Sequence, residues 1–461
     1  MSDWTIGNLG EALSNDLNAP FQTSNVEIKG FSIDSRTVMP GDVFVAIKGE
    51  NFDGHNFIAD ALKNGSSAII ASEKVESNGK TVFQVKDTLV ALQNLARWHR
   101  NRHKARFIGI TGSNGKTTTK EMLYHLFSGI EETFSTKGNL NNHIGLPLSI
   151  LRIPLSVKVA IIEMGMNHPG EIRFLCGIAK PDDALITNIG PAHIGILGSL
   201  ENIANAKSEI LEGISENGYA FLPGDDPFCG LLVEKTRAKV FRFGFKKDND
   251  ITATDICINS TEGSSAIVNF EENVQPVNLL VPGRHNIQNA IAAIACCTLA
   301  GNSFSSAIRR MESFKPVTAR LETISIAGMN VILDCYNANP ASMREAVKWL
   351  SSCSGRKIAV LGDMRELGEF STEYHREIGK TCAESEIDML VAVGQESAHI
   401  AESASASGMK KVFHFKDLKS AADNLKLQLE EGDNVLLKAS RGMHFESICK
   451  QVWPQIRIDL H

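Results

Sequence analysis

The residues best able to do chemistry lie in one stretch, 109–118, which reads Gly-Ile-Thr-Gly-Ser-Asn-Gly-Lys-Thr-Thr. A short apolar run precedes this stretch, and a segment with helical spacing of apolar residues follows it, so its glycines fall between a strand and a helix. That arrangement directs free backbone N–H groups at a polyphosphate. Lys116 can neutralise phosphate charge, and the Thr117 hydroxyl can bind Mg²⁺. The stretch therefore predicts a site for ATP or GTP.

One position departs from the usual phosphate-loop pattern. The pattern begins with a glycine that four residues separate from Gly-Lys-Thr, and this chain has Ile110 at that position. The alternative is a glycine turn followed by an accidental Lys-Thr pair. The strand before the stretch and the helix after it favour the phosphate loop. The predicted nucleotide-binding residues of this loop are Thr111, Gly112, Ser113, Asn114, Gly115, Lys116, Thr117 and Thr118.

The composition is that of a globular protein with several domains. A chain of 461 residues predicts two to four domains, and 43% hydrophobic and 22% charged residues are ordinary values for such proteins. A net charge of −6 argues against a nucleic-acid-binding surface. The longest nearly apolar stretch, 290–300, is too short to span a bilayer, so we expect no membrane insertion.

The cysteines and the first residues indicate the compartment. The nine cysteines form no Cys-x-x-Cys pair and no metal-ligand spacing, which is typical of small buried hydrophobic residues in a reducing environment. The start, Met-Ser-Asp-Trp-Thr-Ile, lacks the basic and apolar regions of a secretory signal. We therefore expect a cytoplasmic protein.

The alternation of apolar segments divides the chain into three parts. Residues 1–84 mix short strands with a helix and predict a small N-terminal α/β domain. Residues 85–314 alternate strand and helix, which predicts a central, mostly parallel sheet of the phosphate-loop type with helices on both faces. Residues 315–461 repeat this alternation and predict a Rossmann-like α/β domain, without the Gly-x-Gly-x-x-Gly of a dinucleotide site. The predicted fold class is three-domain α/β.

Three residues of the central part could complete an ATP site. Glu163 ends an apolar strand, where side chains face the ligand crevice, and it can bind Mg²⁺ beside Thr117; the alternative is a glutamate facing solvent. His193 follows another strand and can bind a metal through neutral imidazole, although its spacing alone favours a structural histidine. Lys207 stands on a helix, where a solvated lysine is the simpler interpretation.

Two charged residues flank the start of the third part. An arginine at position 320 can clamp a γ-phosphate through two hydrogen bonds, and Asp334 follows an apolar strand. The pattern is equally consistent with two surface charges.

Taken together, these motifs resemble the Mur ligases, which are ATP-dependent amide-forming enzymes of peptidoglycan precursor synthesis. That family accepts a residue other than glycine at the position of Ile110. The matching pieces are Thr111-Gly-Ser-Asn-Gly-Lys-Thr-Thr, Glu163-Met-Gly, Asn188-Ile-Gly-Pro-Ala-His, Gly283-Arg-His-Asn-Ile-Gln-Asn-Ala and Arg320-Leu-Glu.

Other pieces resemble the branch of the family that adds D-alanyl-D-alanine to UDP-N-acetylmuramoyl-tripeptide. The branch that adds the third amino acid carries Asp-Asn-Pro-Arg, a run this chain does not contain. The pieces are Asp34-Ser-Arg, Ala46-Ile-Lys-Gly-Glu-Asn-Phe-Asp-Gly-His, Thr136-Lys-Gly-Asn-Leu-Asn-Asn-His-Ile-Gly, Met164-Gly-Met-Asn-His-Pro-Gly-Glu-Ile, Tyr336-Asn-Ala-Asn-Pro and Gly362-Asp-Met-Arg-Glu-Leu-Gly.

The resemblance implies ATP and Mg²⁺ as cofactors, the tripeptide and D-alanyl-D-alanine as substrates, and a monomer. It implies metal binding by Thr117, Glu163 and His193. It implies catalytic roles for Lys116, Glu163, His193, Lys207 and Arg320. Lys207 matches a lysine that is carbamoylated in relatives. The remaining implied sites are Asn286 and Asn289 for adenine, Arg320 and Asp334 for the nucleotide, Asp34, Ser35 and Arg36 for the uridine diphosphate, Asn139, Asn141 and Asn142 for the muramoyl substrate, and Asn337 and Asn339 for the dipeptide.

Three alternatives stay open at this point. A sister ligase, such as one similar to folylpolyglutamate synthase, would share the chemistry but not the substrates. A phosphate-loop switch or motor is disfavoured because the chain has no guanine-reading Asn-Lys-x-Asp run. A catalytically inactive binding protein is disfavoured by the complete set of Lys116, Thr117, Glu163 and His193. The third residue of the peptide is either lysine or diaminopimelate.

Overall fold

The computed structural model describes residues 3–18, 24–49, 52–259, 263–315 and 321–456. Sheets of four, nine and six strands follow one another along the chain, and a two-stranded ribbon precedes them. Parallel strands alternate with helices in all three of these sheets, which confirms the predicted three-part α/β fold. None of the helices in the described ranges is long and apolar enough to cross a membrane.

The N-terminal sheet is small and wholly parallel. Strands β3 to β6 pair in chain order, and every residue of β4 and β5 is buried, as expected of parallel strands covered on both faces. The elements of this part are β1 (Trp4–Thr5), α1 (Ile6–Ala12), β2 (Glu27–Ile28), β3 (Gly30–Ser32), β4 (Asp42–Val45), α2 (Ile58–Lys63), β5 (Ala68–Ala71) and β6 (Thr81–Gln84), with 3₁₀ turns at Ser35–Thr37 and Gly54–Phe57.

The central sheet is parallel over most of its width and ends in an antiparallel meander. Its order is β15-β14-β13-β12-β11-β10-β7-β9-β8, and only the pairs β13–β14 and β14–β15 are antiparallel. The strands are β7 (Arg106–Thr111), β8 (Thr133–Ser135), β9 (Val159–Glu163), β10 (Asp183–Ile186), β11 (Tyr219–Pro223), β12 (Lys239–Gly244), β13 (Ile251–Asn259), β14 (Gly263–Phe270) and β15 (Asn273–Leu279).

Side chains along the central strands alternate between two hydrophobic clusters. Phe107 belongs to one cluster, and its neighbour Ile108 to the other; Ile161 and Ile162 divide in the same way. The alternation shows that helices cover both faces of this sheet, as predicted. These helices are α3 (Thr88–Arg102), α4 (Lys116–Ser128), α5 (Gly145–Leu151), α6 (Glu171–Ala179), α7 (Ile194–Leu197), α8 (Leu200–Glu212), α9 (Cys229–Glu234), α10 (Arg284–Leu299) and α11 (Phe304–Met311).

The third sheet has the order β16-β17-β21-β18-β19-β20, with an antiparallel hairpin at β16–β17 and parallel pairs elsewhere. Its elements are β16 (Glu322–Ile326), β17 (Met329–Leu333), α12 (Pro340–Ser351), β18 (Lys357–Gly362), α13 (Ser371–Glu384), β19 (Met389–Val393), α14 (Ala398–Ala406), β20 (Val412–Phe415), α15 (Leu418–Gln428), β21 (Asn434–Lys438) and α16 (Glu446–Val452), with 3₁₀ turns at Gly368–Phe370 and Arg441–Met443.

The cysteines are mostly interior residues. Eight of the nine are buried, and Cys257 on β13 is exposed. Burial raises the pKa of Cys176 and of Cys382 to about 12, so these thiols stay protonated and unreactive at neutral pH.

Two buried histidines on and just after α3 lie against the N-terminal ribbon. The ring of His99 lies 5.0 Å from the ring of Trp4, and its Nε2 lies 3.1 Å from the Nε2 of His103. The carbonyl of Ile153 lies 2.8 Å from the same His99 nitrogen. Burial, with repulsion from His99 and Arg100, lowers the pKa of His103 to about 4. The pair is therefore neutral in the folded protein at neutral pH.

This pair is expected to make the fold acid-sensitive. In the unfolded chain His103 takes up a proton near pH 6.5, whereas in the folded chain it does so only near pH 4. The unfolded state binds more protons between these values, so the free energy of unfolding should fall by about 3 kcal/mol across this window. Urea unfolding at a series of pH values would measure the slope, which His103→Leu should flatten. The exposed His168→Leu serves as control, and an equal slope in all three chains would contradict the assignment.

Candidate active site

A cavity of about 1250 Å³ opens where strands β7, β9 and β10 end, and third-domain residues form its opposite wall. This is the point at which strand order reverses around β7, the usual ligand crevice of such sheets. Sites for one small molecule usually measure roughly 300–1,000 Å³, so this cavity has room for a nucleotide and a second substrate. The predicted residues that line it are Ser113, Asn114, Gly115, Lys116, Thr117, Thr118, Asn139, Asn141, Asn142, Glu163, His193, Asn286, Asn289, Asp334, Asn337 and Asn339.

The phosphate loop requires its two glycines. Gly112 follows Thr111, the last residue of β7, with φ of 148°, and a Cβ there would lie 1.9 Å from the hydroxyl of Thr187. Gly115 caps α4 with φ of 79°, and a Cβ there would lie 2.7 Å from the amide oxygen of Asn289. Any side chain at either position would therefore push the loop away from the elements that shape it.

The loop that carries His193 braces the phosphate loop. The backbone N–H of Ser113 donates to the carbonyl of Asn188 (3.0 Å), and its hydroxyl donates to the carbonyl of Gly190 (2.8 Å). The backbone N–H of Asn114 donates to the side-chain oxygen of Asn188 (3.0 Å). Sequence analysis used Asn188 only as part of a motif, and its structural role in holding the phosphate loop was missed.

Glu163 is oriented as a metal ligand would be. Its carboxylate is buried and accepts hydrogen bonds from the hydroxyl of Thr117 (3.0 Å) and from the side-chain amide of Asn141 (2.8 Å). A carboxylate and a hydroxyl side by side are oxygen ligands of the kind that Mg²⁺ prefers. Lys116 lies on the same loop, where its Nζ donates to the carbonyl of Gly112 (2.7 Å). The residues present therefore fit a magnesium–phosphate site.

Lys120 is a second cation near Glu163, one turn along α4 from Lys116. It is fully buried, and its Nζ donates to the carbonyl of Thr136 (2.5 Å) and lies 3.9 Å from the carboxylate of Glu163. The contact ties α4 to the start of the loop with Asn139 and Asn142. Sequence analysis missed it, although a lysine four residues after Lys116 lies on the same side of the helix.

His193 meets a residue of the third domain. Its Nδ1 lies 2.6 Å from the carboxylate of Glu366, and the backbone N–H of Gly195 donates to the carbonyl of Glu366 (3.0 Å). The hydrogen bond to His193 holds the pKa of Glu366 below its usual range, although burial opposes the shift. Glu366 lies inside the Gly362-Asp-Met-Arg-Glu-Leu-Gly motif, to which sequence analysis assigned no site residue.

Lys207 is not a solvated helix lysine. It lies on α8 with 2% of its surface exposed, and among the described residues no hydrogen bond or ion pair reaches its Nζ. Burial lowers the pKa of Lys207 well below its usual value, and repulsion from Lys116 adds to the shift. Burial of this kind favours the neutral form of the amine.

The third domain reaches the phosphate loop through Asn339. This residue caps α12, and its side-chain amide donates to the side-chain oxygen of Asn114 (2.7 Å). Asp334 follows β17 and accepts from the Nζ of Lys438 (2.6 Å), which also donates to the carbonyl of Asn337 (3.0 Å). The predicted nucleotide ligand Arg320 lies outside the described residues.

Two predicted adenine residues lie at the start of α10. Asn286 donates to the carbonyl of Pro282 (2.7 Å), and Asn289 packs against Gly115 of the phosphate loop. Both asparagines are buried and line the cavity. Nearby, the guanidinium of Arg284 lies 3.9 Å from the ring centroid of Phe245, which gives this wall a flat, partly apolar surface.

The structure does not bring the three predicted uridine-diphosphate residues into the cavity lining. Asp34 caps the 3₁₀ turn after β3 and pairs with the guanidinium of Arg36 at 2.6 Å. Ser35 is buried, and its carbonyl accepts from the side chain of Asn64 (2.8 Å). The three residues belong to the N-terminal sheet and would act at a distance from the phosphate loop.

Family comparison agrees with this geometry. The Mur ligase family, catalytic domain, matches residues 27–105; the Mur ligase middle domain matches residues 110–297; and the Mur ligase, glutamate ligase domain, matches residues 319–441. The chain belongs to the Mur ligase family. The matches to this family cover all three sheets of the fold.

The relatives of this Mur ligase point to one branch. The UDP-N-acetylmuramoyl-tripeptide–D-alanyl-D-alanine ligase of Bacillus subtilis is 38% identical over 97% of this chain and 98% of its own. MurF from Acinetobacter baumannii has a TM-score of 0.89 and 34% identity, over 98% of this chain and 99% of its own. MurF from Thermotoga maritima, solved with ADP, has a TM-score of 0.82 and 33% identity, over 93% of this chain and 98% of its own. The predicted branch of the family, the MurF-type ligases, is confirmed. The chain is an ATP-dependent enzyme that forms carbon–nitrogen bonds.

Proposed function

We propose that this chain joins D-alanyl-D-alanine to UDP-N-acetylmuramoyl-tripeptide and releases ADP and phosphate. One observation carries the proposal: the phosphate loop, the oriented Glu163 and the third-domain Asn339 all face one cavity. A binding module or a switch has no need of a second domain at its nucleotide, whereas a ligase must hold two further substrates beside it. The relatives are named for these two substrates, UDP-N-acetylmuramoyl-tripeptide and D-alanyl-D-alanine.

The nucleotide would lie along the phosphate loop, with its adenine at α10. Thr117 and Glu163 would hold Mg²⁺ together with His193, and the ion would supply positive charge to the β- and γ-phosphates. Lys116 would add a second positive charge at the γ-phosphate. Arg320 and Asp334 are proposed to contact the nucleotide from the third domain.

The reaction needs an activated carboxylate. The terminal carboxylate of the tripeptide would attack the γ-phosphorus, breaking its bond to the β–γ bridging oxygen and giving an acyl phosphate and ADP. The amine of the dipeptide would then attack the acyl carbon, lose a proton and expel inorganic phosphate. Lys116 would offset the repulsion between the two anions in the first step. No side chain has to become covalently attached.

The substrate sites remain proposals. Asn139, Asn141 and Asn142 are assigned to the muramoyl substrate because their loop lines the cavity beside Glu163. Asn337 and Asn339 are assigned to the dipeptide side, where Asn339 also contacts the phosphate loop. The uridine diphosphate is assigned to residues 34–36, which requires an extended substrate that reaches past the cavity. Domains at 1–84, 85–314 and 315–461, a monomer and a cytoplasmic location belong to the same proposal.

Lys207 is proposed as the lysine of the site that can be carbamoylated. A neutral amine is the form that combines with carbon dioxide, and the resulting carbamate would offer two oxygens beside the metal. Its burial and the neighbouring Lys116 support this assignment.

The proposed function is tested by phosphate release from ATP and Mg²⁺. We expect release only when UDP-N-acetylmuramoyl-tripeptide and D-alanyl-D-alanine are both present, with a UDP-linked pentapeptide in the mass spectrum. If phosphate is released only with another amino acid and another precursor, the chain is still a ligase but the assigned substrates are wrong. Parallel reactions with lysine-containing and diaminopimelate-containing tripeptides would identify the third residue.

A further inference from the structure

The backbones of the central and third domains come into close contact beside the cavity. The backbone N–H of Gly195 donates to the carbonyl of Glu366 (3.0 Å), and the carboxylate of Glu366 lies 2.6 Å from the Nδ1 of His193. A Cβ on Gly195 would lie 2.3 Å from the backbone nitrogen of Gly368. The two backbones therefore approach one another as closely as two glycines allow.

The contact determines which nitrogen of His193 can face a metal. The contact places Nδ1 2.6 Å from the carboxylate of Glu366, so Nε2 is the ring nitrogen left to face a metal. Metal-binding histidines usually donate their other N–H to a carboxylate, carbonyl or water, which fixes the ring and raises its basicity. Glu366 stands in the place of such a carboxylate.

We propose that Glu366 is a positioning residue that orients His193 for the metal, and that it does so only when the third domain is docked. The inference rests on the magnesium site of the proposed function. Glu366 is contributed by a different domain from Thr117 and Glu163. The metal site is therefore complete only in the docked arrangement, and domain docking and metal binding become one event.

The turn that carries Glu366 is held rigidly. Glu366 has φ of 64°, a left-handed conformation that is costly for a non-glycine residue and persists only where the surroundings enforce it. Two backbone N–H groups anchor the turn: that of Met364 donates to the buried His375 (3.0 Å), and that of Arg365 donates to the hydroxyl of Ser440 (2.8 Å). These anchors belong to the third domain itself, so the backbone of the turn is held without any contact from the central domain.

The test measures metal binding rather than turnover. Mn²⁺ is titrated into the full chain with ADP present, and free Mn²⁺ is followed by electron paramagnetic resonance. We expect Glu366→Ala to weaken Mn²⁺ binding by about 10- to 100-fold. Glu366→Gln keeps an oxygen that can accept the Nδ1 hydrogen bond, so its loss should be several-fold smaller than that of the alanine variant. Glu369→Ala, an exposed glutamate in the same motif region without a described hydrogen bond or ion pair, should bind like wild type.

Equal Mn²⁺ affinity in wild type and Glu366→Ala would overturn the inference, as would a wild-type chain that binds no Mn²⁺. Thermal unfolding of each variant shows whether a loss of affinity reflects a loss of fold. The proposed function is judged separately, by substrate-dependent phosphate release in the wild-type chain. If the wild-type chain ligates its substrates and Glu366→Ala binds Mn²⁺ with wild-type affinity, only the role of Glu366 is overturned.

Discussion

Lys116→Ala is expected to lower substrate-dependent phosphate release by about 10³-fold or more while leaving the fold intact. The Nζ of Lys116 is already held over the loop by the carbonyl of Gly112, so its positive charge is positioned before the nucleotide arrives. Charge that is positioned in advance stabilises a phosphoryl-transfer transition state without reorganisation, and losing one such group commonly costs about 10²–10³-fold. Two anions must meet in the first step here, so the larger value is expected.

The measurement is the phosphate-release rate at saturating substrates, with circular dichroism and thermal unfolding to verify the fold. Lys235→Ala, at an exposed lysine after α9, is the matched control and should keep the wild-type rate. If the Lys116→Ala enzyme ligates its substrates at the wild-type rate, the proposed phosphoryl-transfer mechanism is contradicted.

Gly195→Ala is expected to lower kcat by about 10²-fold by holding two domains apart. The added methyl group would lie 2.3 Å from the backbone nitrogen of Gly368 and 2.5 Å from the carbonyl carbon of Leu367. Backbone cannot rotate away as a side-chain end can, so the third domain must move back. Displacing catalytic groups by about 1 Å can lower the reaction rate by about 10²-fold.

Gly195 lies on the short helix α7 with ordinary backbone angles, so alanine should fit its own domain and slightly raise its stability. Gly177→Ala is the control, because that helical glycine has open space around the position of a Cβ. We expect ADP binding to the phosphate loop to survive in both variants, measured by isothermal titration. A Gly195→Ala enzyme with a normal kcat would show that close docking of the third domain is not required.

The phosphate loop could be predicted because its function is local. The strand, the two glycines and the helix follow one another in sequence, and the resulting backbone fixes where Lys116 and Thr117 lie. Glu163 was predictable for a related reason, because polar residues that end parallel strands collect at one edge of a sheet.

The rest of the site depends on contacts between distant parts of the chain. Spacing alone favoured a solvated Lys207, and only the packing of α8 shows that this lysine is buried. The contact of His193 with Glu366 likewise forms only where the third domain meets the central one. The contacts His193–Glu366 and Asn114–Asn339 each join residues more than 150 positions apart in the sequence, which no local pattern can reveal.

The distribution of thiols makes the native chain easy to label at one point. Cys257 is exposed on the antiparallel meander, next to an irregularity in the pairing of β13 with β14, while the other cysteines are enclosed. A maleimide dye should therefore attach to a single position without any cysteine being removed. A second dye on the third domain would then report the interdomain distance by energy transfer, in real time, as nucleotide and substrates are added.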